Sequence, residues 1–83
     1  MLLAIDVGNT RIKAAVFEGD TFVLDAVFDK KEAVEKLENI FRQYPVITKA
    51  TLSRVGFLDE TVLEWLEKRV ELYKITSDSS MPF

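Results

Sequence analysis

The chain opens on an apolar run with no alternation, Leu2-Leu3-Ala4-Ile5, which stops abruptly at Asp6. Apolar side chains on both faces of an extended segment predict a strand covered on both sides, and therefore a central one. Beyond Gly8-Asn9-Thr10, the stretch Arg11 to Phe17 reads as a second strand, and Gly19-Asp20 supplies a tight turn. From Thr21 to Phe28 the pattern alternates. Phe22, Leu24, Ala26 and Phe28 face one way, and Thr21, Val23, Asp25 and Val27 the other. Three strands joined by two short turns predict an antiparallel meander.

The period then becomes helical. Asp29 followed by Glu32 has the spacing of a capping box, with Asp in place of Ser or Thr. Ala33, Val34, Leu37, Ile40, Phe41 and Tyr44 recur on one stripe of an amphipathic helix. Pro45 disfavours helical geometry at Tyr44 and ends the element. The β-branched run between Val46 and Val55 predicts a fourth strand, broken by Gly56. Asp59 is placed to cap a second helix reaching Arg69, with Val62, Leu63 and Leu66 buried and Trp65 on the flank. Val70 to Ile75 alternates again as a short last strand. The order βββαβαβ predicts an α/β fold, a mixed sheet with helices packed on it, whose crossovers are right-handed. Residues 1–76 form one unit and 77–83 a loop or tail, with no repeat, linker or low-complexity tract.

Composition narrows the chemistry. With 83 residues, 48% of them hydrophobic, the chain makes at most one small domain, burying about 60–65% of its unfolded surface. It has no cysteine and no histidine. A disulfide framework, a thiolate zinc site, a cysteine nucleophile and a histidine base are all excluded. A net charge of −3 argues against a nucleic-acid partner, which needs a clustered basic face. It leaves open a nucleotide held through magnesium and backbone amides. No apolar run approaches the length of a membrane span, and the N-terminus lacks a basic n-region, so a cytoplasmic protein is expected.

The stretch Asp6-Val7-Gly8-Asn9-Thr10-Arg11-Ile12-Lys13 is where chemistry concentrates. An acid closing an apolar strand is costly to bury and needs a reason. Ligands of open α/β sheets gather at the carboxyl ends of strands. Gly8 allows positive φ or close approach by a ligand, and successive turn amides form an anion-binding nest. A carboxylate beside a bound phosphate needs a cation between them, so Asp6 suggests Mg²⁺. Arg11 and Lys13 share one face of the returning strand. A plain hairpin, its Gly-Asn turn empty and Asp6 capping the loop, fits the same residues.

These residues resemble the first phosphate motif of the acetate and sugar kinase, Hsp70 and actin superfamily. The form Asp-x-Gly-Asn-Thr-x-x-Lys near the N-terminus resembles type III pantothenate kinase in particular. The resemblance implies a ribonuclease-H-like fold, the N-terminal half of an actin-like ATPase, in agreement with the element order above. It implies ATP contacts along Asp6, Val7, Gly8, Asn9, Thr10, Arg11, Ile12 and Lys13. Asp6 would lie toward Mg²⁺, and Asn9, Thr10 and Lys13 near the phosphates. It further implies phosphorylation of the primary hydroxyl of pantothenate in coenzyme A synthesis, a monovalent cation (K⁺ or NH₄⁺) and a homodimer. Leu52-Ser53-Arg54-Val55 falls where the family has a small-polar segment, and Arg54 departs from it.

The family's Gly-x-Asp-Arg aspartate, its pantothenate pocket and its second nucleotide half have no counterpart here, and the closing Ser-Met-Pro-Phe resembles the lead-in to that part. Phosphoryl transfer needs a positioned base and no residue here supplies one, so an inactive N-terminal part is expected. The alternatives are a non-catalytic accessory member of the superfamily and a small interaction module with no ligand. The acids Asp25, Asp29, Glu32, Glu35, Glu38, Asp59, Glu60, Glu64 and Glu67 read as solvated surface. Glu32–Lys36 and Glu64–Lys68 read as i,i+4 pairs. Phe41, Tyr44 and Trp65 read as core or interface cover. Apolar surface left exposed would drive self-association.

Overall fold

Strand β1 (Leu2–Val7) lies at the centre of a five-stranded sheet ordered β3-β2-β1-β4-β5 in the computed structural model, which describes residues 1–54 and 58–75. β2 (Arg11–Glu18) pairs antiparallel with β1, and β3 (Thr21–Asp29) antiparallel with β2. β4 (Lys49–Arg54) and β5 (Glu71–Ile75) continue the sheet in parallel on the other side of β1. Helix α1 (Ala33–Gln43), entered through a 3₁₀ turn over Lys30–Glu32, connects β3 to β4, and α2 (Glu60–Arg69) connects β4 to β5. The mixed α/β sheet with flanking helices is the architecture that the element order predicts.

Both crossovers run the same way across the sheet, so a single hand places both helices on one face. That face is the core. Leu3, Ile5 and Val7 of β1 meet Ile12, Ala14 and Val16 of β2, Ala50 and Leu52 of β4, and Leu37, Ile40, Phe41, Val62 and Leu66 of the helices. The opposite face of β1 carries Leu2 and Ala4, half-buried, and Asp6, exposed. The expected cover on both sides of β1 is therefore present on one side among the described residues.

β3 departs from simple alternation. Val16 pairs with Leu24 but Phe17 pairs with Phe22, so Val23 is an extra residue in the ladder. A bulge advances the side-chain period by one. Phe22 accordingly leaves the face of Leu24, Ala26 and Phe28 and lies 55% exposed on the open face. There its ring meets that of Phe17 edge-on at 5.7 Å. At the other end of the hairpin Gly19 has a φ of 62°, the left-handed geometry that a two-residue turn requires of glycine.

The helix ends differ from each other. Asp29 makes no capping hydrogen bond; its carboxylate lies 3.9 Å from Arg11 Nε across the sheet, while Glu32 pairs with Lys36. The capping box is therefore not formed: a 3₁₀ turn intervenes, and Glu32, not Asp29, is the residue that flanks α1. Asp59 does cap α2, accepting from the Thr61 backbone N–H at 3.0 Å and from its hydroxyl at 2.9 Å. Pro45 ends α1 as expected: Tyr44 leaves helical geometry, its N–H still donating to the Ile40 carbonyl. β4 begins at Lys49 and not at Val46, because the Ile47 N–H turns back to the Tyr44 carbonyl. Val34 stands at the exposed edge of the α1 stripe. Trp65 is half-buried between Phe41, 5.7 Å away, and the Arg69 guanidinium. Among the described residues Glu64 and Lys68 do not pair; Glu38–Arg42 and Glu67–Lys74 do. The strand end at Val55, the break at Gly56 and the 77–83 tail lie outside the described residues.

Leu37 is fully buried while Val34 is on the edge. Leu37→Ala should cost about 3 kcal/mol in urea unfolding, and Val34→Ala less than about 1 kcal/mol. The Thr61 amide, and then its hydroxyl, hold the Asp59 carboxyl below its ordinary pKa. A depressed carboxyl stabilises above its unfolded pKa and loses that contribution as pH falls through the folded one. The gap in melting temperature between wild type and Asp59→Ala should therefore be open at neutral pH and close in strong acid.

Candidate functional site

Asp6 occupies the last outward position of β1, so its carboxylate emerges at the carboxyl end of the central strand, on the open face. In the β1–β2 register it stands directly opposite Lys13, and in the β1–β4 register directly beside Ser53. Side chains so opposed have their Cβ atoms about 5 Å apart. Among the described residues neither Asp6 nor Lys13 is committed to an ion pair or side-chain hydrogen bond. An acid and a base thus stand side by side with their capacity unspent.

The turn between the strands is tightened by the Gly8 N–H donating to the Arg11 carbonyl at 2.8 Å. A Cβ at Gly8 would sit 3.2 Å from that same carbonyl oxygen. Gly8 does not adopt positive φ. Of the two uses the sequence offers for this glycine, positive φ or close approach by a ligand, the first is not taken, and its lack of a side chain serves the approach of its own chain. Its amide is also spent. Among the described residues the amides of Asn9 and Thr10 have no backbone acceptor, so any anion at the turn meets those two in place of a longer nest.

The eight residues of the motif divide by strand alternation. Val7 and Ile12 are fully buried in the core and hold the turn to the sheet. Asp6, Gly8, Asn9, Thr10, Arg11 and Lys13 line a cleft of about 300 Å³ with Val27. Asp6 and Lys13 also close one end of a second depression, about 480 Å³, which runs along the open face past Thr51 and Ser53 to Phe17 and Phe22. Thr51, Ser53 and Asp25 are the residues that the motif alone does not point to. Their signal lies in strand alternation: Ala50 and Leu52 are buried, so Lys49, Thr51 and Ser53 face the same way as Asp6.

Among the described residues no three Asp, Glu, His or Cys side chains cluster to cage a metal. A single outward carboxylate suits Mg²⁺, which keeps several waters and binds through one or two carboxylates plus substrate phosphates. It does not suit a site built from protein ligands alone. The donor set fits magnesium carried in with a polyphosphate. No helix among the described residues is long and apolar enough to cross a membrane.

No protein-family model matches the chain. Its whole length is 36% identical over 83 residues to the type III pantothenate kinase of Flavobacterium johnsoniae. It is 39% identical over the same span to the proteins of that name from Flavobacterium psychrophilum and Christiangramia forsetii. In each case the match takes in 34% of the relative, so the chain spans about a third of the length of these proteins. In structure, 89% of the chain superposes on 32% of a Bacteroides thetaiotaomicron protein of unknown function with an actin-like ATPase fold. The TM-score is 0.69 and the identity 18%, a likeness of fold.

The Gly8–Arg11 closure predicts that Gly8→Ala lowers the melting temperature by several degrees, because the carbonyl it crowds is the acceptor of the Gly8 N–H that closes the turn. Asn9→Ala, at an exposed position, should leave it within about 1 °C.

Proposed function

Because the chain is a homologue, end to end, of the first third of type III pantothenate kinases, we propose that it forms the ATP-binding part of such a kinase. The whole enzyme would transfer the terminal phosphoryl group of ATP to the primary hydroxyl of pantothenate, giving ADP and 4′-phosphopantothenate for coenzyme A synthesis. The observation that carries this reading is the alignment of Asp6, Lys13 and Ser53 across three adjacent strands, beside the turn at Asn9 and Thr10.

The residues divide the task by chemistry. Asp6 supplies the hard oxygen ligand for Mg²⁺, directly or through its water shell. Lys13 supplies a compact positive charge toward the phosphates. The Asn9 and Thr10 amides and side chains donate to phosphate oxygens, and Arg11 offers a planar fork for a bidentate contact. Bound magnesium would neutralise charge developing on the transferred group. Val7 and Ile12 contribute by fixing the turn and not by touching ligand. A K⁺ or NH₄⁺ ion, assembly as a homodimer and a cytoplasmic setting belong to the same reading.

The chain's own residues on the open face bind and orient. Among the described residues, the carboxylates of that face have other assignments: Asp6 is given to the metal, Asp25 stands two residues farther along the sheet across from Ala15, and Asp29 faces Arg11, so none is assigned to take the proton from an acceptor hydroxyl. The chain alone is accordingly a nucleotide binder without turnover. A second reading, an unliganded interaction module, draws support from the spent Gly8 amide and from Phe22 and Val27, both more than half exposed on the open face.

Titration with MgATP separates the two. The kinase reading expects saturable binding that Asp6→Asn weakens at least about tenfold, with the melting temperature unchanged because Asp6 is exposed and unpartnered. Binding absent in wild type, or equal in both proteins, would favour the module.

A further inference from the structure

Arg11 sits on a boundary between two clefts. It lines the turn cleft with Asn9 and Thr10, and also a separate polar cleft of about 370 Å³ with Asp29, Glu32 and Lys36. Its cross-strand partner in the β2–β3 register is Asp29, and among the described residues its one ion pair joins Nε to Asp29 Oδ1 at 3.9 Å, with both side chains more than 60% exposed. Only Nε is engaged, so the two terminal nitrogens keep their donors. An ion pair so long and so wet is worth little and is readily exchanged. A polyphosphate at the turn offers the guanidinium a bidentate, doubly charged partner in place of a single distant carboxylate oxygen.

We infer that Asp29 is a counter-ion that parks Arg11 in the free protein and is displaced from it when a polyphosphate binds the turn, so that Asp29 sets how tightly the anion is held. This rests on the nucleotide reading above. Two effects of Asp29 oppose each other. It orients the guanidinium, which helps binding, and it neutralises the charge of Arg11, which hinders it. At this length and exposure the orientation is weak, whereas the charge of Asp29 acts whatever the rotamer. The neutralising effect therefore wins, and Asp29 lowers affinity through Arg11. Lys36 and Glu32 face the same cleft but are paired with each other at 3.6 Å, so they do not take over the role of Asp29.

The experiment is a double-mutant cycle read by MgATP titration at fixed ionic strength, with thermal melts to verify folding. Asp29→Asn should tighten binding about two- to fivefold, the range open to an exposed pair. Arg11→Met should weaken it, and in the Arg11→Met background Asp29→Asn should have no further effect beyond about 1.5-fold. Asp25→Asn, which removes the same charge elsewhere on the open face, should change little. An equal gain in both backgrounds, a gain equal to that of Asp25→Asn, or weaker binding in Asp29→Asn overturns the inference while the nucleotide reading stands. Absence of MgATP binding to wild type removes both.

Discussion

β1 is held by unbroken pairing on two sides, antiparallel to β2 and parallel to β4, from Leu2 to Val7. A slip of one residue would turn Leu3, Ile5 and Val7 out to water and drive Asp6 into the apolar layer under the helices. Burying an unpaired carboxylate costs several times what any one of those apolar side chains gains. The register is thus locked from both directions, by what the core demands and by what it refuses. Everything chemical about the molecule follows from that lock. The same alternation that buries Val7 and Ile12 lines up Asp6, Lys13 and Ser53 on the opposite face.

The sheet consequently divides labour between its faces. The helical side carries nearly all of the close-packed apolar volume, and among the described residues no polar side-chain atom is buried there without a partner. The open side carries the charged turn at one end and the Phe17–Phe22 pair at the other. Because the stabilising contacts lie behind the sheet, residues on its open face can change without unfolding the domain. That separation is what makes the roles proposed for Asp6, Lys13 and Asp29 accessible to mutation.

Most of this was legible in the residues, and the departures have identifiable causes. Periodicity alone yields the five strands, both helices and the stripe of Leu37, Ile40 and Phe41, because core burial dominates at those positions. Alternation within β3 places Phe22 on the wrong face, because a bulge is a pairing property set jointly by β2 and β3. The capping box expected at Asp29 does not form, because a 3₁₀ turn over Lys30–Glu32 separates Asp29 from the start of α1, which its spacing to Glu32 does not reveal. In the candidate site, the spacing of Asp6, Gly8 and Lys13 was readable directly. The placement of Ser53 needed the parallel partner of β1, and the short reach between Gly8 and Arg11 needed the turn itself.

In the proposed function, one register of β1 delivers a metal-binding carboxylate beside phosphate-binding amides at a single strand end. The most direct test is to titrate the ¹⁵N-labelled chain with ATP and substoichiometric Mn²⁺ in place of Mg²⁺, and follow paramagnetic broadening of the backbone amides. Broadening is expected to centre on Asp6, to reach Gly8 through Lys13 and Ser53, and to be absent from α1 and α2. Broadening centred on the carboxylates of the helices, or unchanged by Asp6→Asn, would contradict that arrangement.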